Sequence, residues 1–257
     1  MSLIKVDINC DMGESFGLYE LGQDEEMMQY ITSANIACGF HAGDPHVMKK
    51  TIHLAKEYNV SIGAHPGFPD LLGFGRRFMT CTDSEVMDYI IYQVGALKEF
   101  ANVNGISLQH IKPHGALYIK AMEDEYIARG ILEATQLIGK DIIVYALNNS
   151  AVAYLGEKMG IPIAKEVYAD REHKLNGHNV LTRKGPIIDN YEKWAQRVVR
   201  MVKDGKVITN TGEDISIHAD TVCIHGDTPG AHILAKEICN QLKKHNIEIA
   251  PIKKIIA

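Results

Sequence analysis

Short apolar runs in this chain end again and again in histidines or carboxylates, and few folds can accommodate that placement. The runs are Asn35-Ile-Ala-Cys-Gly-Phe-His41-Ala-Gly-Asp44-Pro-His46, Val60-Ser-Ile-Gly-Ala-His65-Pro, His110-Ile-Lys112-Pro-His114-Gly and Val222-Cys-Ile-His225-Gly-Asp227. An opening run, Ile4-Lys-Val-Asp7-Ile-Asn9-Cys-Asp11-Met-Gly-Glu14, ends in acids. Each apolar core is too short for a helix and reads as a buried strand. Ionisable groups at the carboxyl ends of successive strands mark the catalytic face of a parallel α/β sheet or barrel. The pattern predicts an enzyme.

Strand candidates fall at 3–9, 33–38, 60–64, 108–112, 141–146, 161–167 and 221–225. Helical stretches separate them. One starts at Asp44-Pro45, an N-cap followed by proline in the first turn. Another starts at Thr82-Asp-Ser-Glu85, a capping box, and runs to about Ala101. Others are predicted at 124–138, 149–158, 189–204 and 229–245. Alternating strands and helices over 257 residues predict an α/β fold, a seven-stranded (β/α) barrel, one strand short of the full eight, as a single domain over 1–257. A doubly wound open sheet is the alternative. Two regions break the rhythm: a Gly/Pro/Arg loop at 66–82, whose 66–78 portion is expected to act as a mobile lid, and a hairpin at 206–218.

Composition narrows the function. The net charge is −5 and no long basic cluster occurs, which argues against a nucleic-acid surface. No apolar stretch reaches membrane-spanning length and no leader pattern opens the chain, so a cytoplasmic location is expected. The five cysteines are odd in number and lack a C-x-x-C pair, so they read as buried hydrophobes. There is no P-loop, and no G-x-S-x-G elbow.

Strand alternation puts Asp7, Asn9 and Asp11 on one side of the first strand. His41, Asp44 and His46 lie within six residues, and with Asp11 they suggest a divalent cation, the candidate ligands being Asp11, His41 and His46. Asp44 also suits an N-cap. Lys112 and His114 offer a base and an acid at one strand end, Lys112 alternatively stabilising a developing anion, and Glu166 with Asp170 and Arg171 supplies another wall. His225-Gly-Asp227-Thr228 leads into a helix start suited to an anion. Arg76 and Arg77 suit a carboxylate or phosphate. His53, His173, His178, His218, His232 and His245 are read as surface residues.

Seven blocks together resemble the LamB/YcsF family, the A subunit of bacterial ATP-dependent 5-oxoprolinase. They are Asp7 to Gly17, Ala34 to Pro45, Gly63 to Asp70, Gly73 to Arg77, Lys112 to Tyr118, Glu166 to Arg171 and His225 to Ala231. A looser match falls at Leu181 to Gly185. The resemblance implies a (β/α) barrel related to glycoside hydrolases and polysaccharide deacetylases. It implies hydrolysis of 5-oxo-L-proline to L-glutamate, ATP as co-substrate, and partner subunits B and C. On that reading Asp7, Asp11, His41, His65, Lys112, His114, Glu166 and His225 are the catalytic candidates, gathered in one pocket. Asn9, Glu14, Arg76, Arg77, Asp170, Arg171, Asp227 and Thr228 are candidates for substrate or ATP, with magnesium as a possible companion. A metal-dependent deacetylase, or an amide or carbohydrate hydrolase, is the alternative.

Overall fold

A computed structural model describes residues 3–179, 190–226 and 228–256. Asp227 and the Leu181–Gly185 block lie outside them. In chain order the elements are β1 (Lys5–Met12), α1 (Asp24–Met28), β2 (Ser33–Ala37), α2 (Pro45–Glu57), β3 (Ser61–His65), α3 (Asp83–Val103) and β4 (His110–Ile111). There follow α4 (Gly115–Glu123), α5 (Glu125–Ile138), β5 (Ile143–Leu147), α6 (Ala151–Met159), β6 (Ile163–Tyr168) and α7 (Tyr191–Asp204). The rest are β7 (Lys206–Ile208), β8 (Asp214–Ser216), β9 (Thr221–Ile224), α8 (Ala231–Lys244) and β10 (Glu248–Ile249).

All seven expected strands form, and they pair in parallel in the order β1, β2, β3, β4, β5, β6, β9. β1 pairs with both β2 and β9, so the ring closes with seven strands. The open-sheet alternative is excluded. The short β10 adds to the start of β1 through Lys5 and Val6. β7 and β8 form the expected antiparallel hairpin outside the ring.

Period-two alternation explains the layering. Val6, Ile8, Cys10 and Met12 of β1 are fully buried in the apolar layer, while Asp7, Asn9 and Asp11 alternate with them and bond to one another's neighbours across the ring. Helix starts follow their caps. Asp44 accepts from the backbone N–H of His46 and Val47, and the Thr82–Glu85 box is reciprocal. Gly160 and Gly205 end α6 and α7 in the left-handed region. Two histidines expected on the surface are buried instead. His173 accepts from Arg197 at 2.5 Å, and burial followed by the Arg197 charge pushes it down to about 3; His178, five residues on, is buried as well. Neither sits on a regular amphipathic helix, so periodicity could not place them.

Candidate active site

The carboxyl ends of the strands surround a cleft of about 1060 Å³. Asp11, Glu14, His65, Lys112, His114, Tyr118, Tyr168, Arg171 and His225 are among its lining residues, with Gly73, Arg76 and Arg77 at its edge.

Lys112 is the centre of the floor. Its ammonium donates to Asp11 Oδ1 at 2.9 Å and to Cys223 Sγ at 3.0 Å, and lies 3.1 Å from Glu166 Oε1. Burial works against this charge, yet Asp11 first and then Cys223 and Glu166 carry its pKa well above the ordinary lysine value. These partners favour the ammonium form of Lys112, the form that can stabilise a developing anion. Burial likewise opposes the Asp11 carboxylate, but His65 and Lys112 hold it well below the usual range. Asn35 donates to Asp11 at 2.9 Å and to Asn9 Oδ1 at 2.7 Å, and Asn9 donates to Glu166 at 3.0 Å. Tyr118 on α4 donates to the other Glu166 oxygen at 2.7 Å. This network sets Asp11 and Glu166 on either side of Lys112. Burial drives the Cys223 thiol well up, so it serves Lys112 as a neutral acceptor.

A second wall carries three imidazoles. His65 Nδ1 lies 2.7 Å from the Lys112 carbonyl, and its Nε2 lies 2.9 Å from His114 Nδ1 and 3.4 Å from Asp11 Oδ2. His114 Nε2 lies 2.8 Å from the Phe74 carbonyl. His41 stacks on His114 with ring centroids 3.7 Å apart and planes 2° from parallel. Glu14 Oε1 approaches His41 Nε2 to 3.5 Å and His114 Nδ1 to 3.7 Å. Burial is the main cause that pushes both His41 and His114 well below the ordinary histidine value. The stack needs glycine at 75: a Cβ there would lie 2.7 Å from His41 Cβ and 2.8 Å from His114 Cδ2.

On a third side, Asp170 accepts from His225 Nδ1 at 3.0 Å, from Thr228 at 2.9 Å and from Arg171 at 2.7 Å. Burial alone would raise Asp170, but these partners, His225 foremost, hold it down to about 2. The pair leaves His225 Nε2 for the cleft.

Several expected placements differ. Asp7 lies deeper in the ring, away from the cleft lining, and accepts from Ser33 at 2.6 Å, Thr32 at 2.7 Å, Thr221 at 2.5 Å and Tyr145 at 3.0 Å. Burial raises its pKa despite these hydroxyls. Asn9 is also interior and supports Glu166 without lining the cleft. His46 is exposed in the first turn of α2. Among the described residues, ligand-type atoms gather within 4.8 Å in two groups, Glu14–His41–His65–His114 and Asp11–Cys223–His225, so Asp11, His41 and His46 do not form one site. Arg77 is tied to Asp70, its Nε donating at 2.9 Å and its Nη2 donating to the same oxygen. The 66–78 loop is braced as a wall: Gly67 exchanges hydrogen bonds with Gln93, Asp70 accepts from Gly73, and Ala116 donates to the Gly75 carbonyl. Tyr118, Tyr168, Asn35 and Cys223 were not singled out from the sequence. Tyr118, Asn35 and Tyr168 stand within the Lys112, Ala34 and Glu166 blocks without a chemistry of their own to mark them, and Cys223 reads as a small residue inside an apolar strand.

A closed parallel (β/α) barrel with a charged, histidine-rich cleft at its strand ends defines the class. The chain belongs to the LamB/YcsF family, whose family model matches residues 6–257. It is 50% identical over 254 residues to a Pyrococcus horikoshii protein named as the A subunit of 5-oxoprolinase, covering 98% of this chain and all of that one. It is 46% identical to the Bacillus subtilis protein of the same name, covering 98% of each. Among solved structures, the lactam utilization protein of Thermus thermophilus superposes with a TM-score of 0.90 at 38% identity, covering 96% of this chain and 99% of that one. An Enterococcus faecalis protein at 13% identity and a TM-score of 0.58 shares the fold alone.

Proposed function

We propose that this chain is the A subunit of an ATP-dependent 5-oxoprolinase, which opens 5-oxo-L-proline to L-glutamate with subunits B and C. The relatives named as 5-oxoprolinase A subunits and the lactam utilization protein support the substrate class. The observation that carries the chemistry is the Lys112 ammonium, fixed between Asp11 and Glu166 on the cleft floor.

An unstrained lactam resists water. ATP transfers its γ-phosphoryl group to the lactam oxygen, with magnesium accompanying the nucleotide. Water adds at the activated carbon, the ring C–N bond breaks as its nitrogen takes a proton, and hydrolysis of the acyl phosphate releases glutamate and phosphate. Lys112 is placed to stabilise negative charge developing on the oxygens. His225, oriented by Asp170, is the proton donor or acceptor at the reacting centre. Arg171 and Arg76 supply positive charge for the substrate carboxylate or the phosphate. With no P-loop in the chain, nucleotide handling is shared with the partner subunits.

Incubating the purified chain with 5-oxoproline, ATP and magnesium, alone and with B and C, tests this reading by glutamate formation. Glutamate is expected only with all three subunits and not with Lys112→Met. Robust formation by the isolated chain would refute the partner requirement, and none under any combination would refute the reaction.

A further inference from the structure

His65 and His114 point ring nitrogens at each other across 2.9 Å. His65 Nδ1 and His114 Nε2 each face a backbone carbonyl, at 2.7 and 2.8 Å. A carbonyl oxygen only accepts, so each of these nitrogens carries the ring proton. The inner nitrogens, His65 Nε2 and His114 Nδ1, then face each other across 2.9 Å, a gap closed either by one shared proton or by a cation. Ligand-type atoms of Glu14, His65 and His114 all lie within 4.8 Å of one another around this gap. Glu14 Oε1 closes the same space, 3.7 Å from His114 Nδ1.

From this we infer a divalent transition-metal site in the cleft wall, held by Glu14, His65 and His114. Imidazoles with the second nitrogen tied to a carbonyl are oriented as metal-binding histidines usually are. Two imidazoles and one carboxylate suit zinc or cobalt better than magnesium, which prefers oxygen ligands. The ring geometry decides the ligands. A metal lies in the plane of each imidazole it binds. His65 and His114 stand 87° apart, so their planes meet. His41 is parallel to His114 at 3.7 Å, so those two cannot share an ion. His41 instead caps the site, and neither of its ring nitrogens has a hydrogen-bond partner among the described residues. All three ligands line the cleft, so an ion there faces the substrate space. The site stands independently of the lactam reading.

The test is metal uptake, not turnover. The full chain is stripped with chelator, dialysed and titrated with zinc, with bound metal measured by elemental analysis and calorimetry. Cobalt(II) absorption reports the ligand field. One equivalent per chain is expected, together with a zinc-dependent rise in Tm. Glu14→Gln and His114→Ala should each weaken zinc binding beyond the roughly 10–100-fold that loss of an outer-shell partner gives. Glu14→Gln keeps the side-chain volume and guards against misfolding of the histidine variant. His46→Ala, on the surface, should bind as the parent does. No uptake by the parent, undiminished uptake by Glu14→Gln and His114→Ala, or loss of uptake in His46→Ala would overturn the site.

Discussion

Asp170 grips His225 at 3.0 Å from a fully buried position, and the same carboxylate also holds Thr228 and Arg171. One acid thus sets the tautomer of a cleft histidine and anchors the loop that leads from β9 into α8.

That linkage predicts an acid signature. The Asp170 carboxyl sits at about 2 when folded, below the ordinary aspartate value of 3.8. Its contribution to stability is therefore complete above about pH 4 and is lost as pH falls through about 2, amounting to roughly 2 kcal/mol. Asp170→Asn should melt below the parent at neutral pH, and the gap should narrow in acid. A gap that stays constant down to the acid limit would contradict the assignment. Activity should fall roughly 100-fold or more, because His225 loses its fixed tautomer.

Removing Lys112 leaves Asp11 and Glu166 buried and unpaired. Lys112→Met should lower stability by about 3–5 kcal/mol in denaturant titrations. Adding Asp11→Asn and Glu166→Gln should recover part of the loss. If the single variant is as stable as the parent, the three groups are not a charge cluster in solution.

Gly63 is a packing requirement. A Cβ there would come within 2.1 Å of the His110 ring, which stacks on Tyr145 and donates to Asn35 Oδ1 at 2.6 Å. Gly63→Ala should cost about 1–3 kcal/mol. In a Gly63→Ala, His110→Ala pair the two changes should couple, so that the double variant is more stable than their sum. Simple additivity would mean that the strand shifts and the ring stays.

The paired arginines should separate. Arg77 braces Asp70, whereas Arg76 packs its guanidinium over the Phe74 ring, 5.0 Å from its centroid, at the edge of the cleft. On the proposed function, Arg76→Lys should raise KM for 5-oxoproline or ATP several-fold, and Arg77→Lys should leave KM close to the parent value. Steady-state kinetics of the assembled subunits decide this, and the reverse ranking would assign the anion to Arg77.

Strand positions were legible because each apolar run is short, and helix starts because Asp44, Thr82 and Glu85 announce their caps. Alternation correctly gave the side on which Asp7, Asn9 and Asp11 point. It could not give depth. At about 3.3 Å per residue, Asp7 lies about 13 Å below Asp11 along β1, which removes it from the cleft. The helix α4 was missed because it starts directly after Pro113-His114-Gly115, which reads as a loop, and Tyr118 was hidden with it. His46 and Glu14 show a different limit. Two histidines close in sequence look like ligands, but α2 carries His46 outward, whereas the turn after β1 brings Glu14 to His41 and His114.

Closure of the ring through β1 and β9 has a consequence for biosynthesis. Asp11, on the first strand, meets Cys223 and His225, at the end of the last ring strand, only after about nine-tenths of the chain has left the ribosome. Until then β1 carries an open edge, and Lys112 faces its acids without the thiol that completes its shell. A nascent or C-terminally truncated chain can build most of the helices but not the cleft.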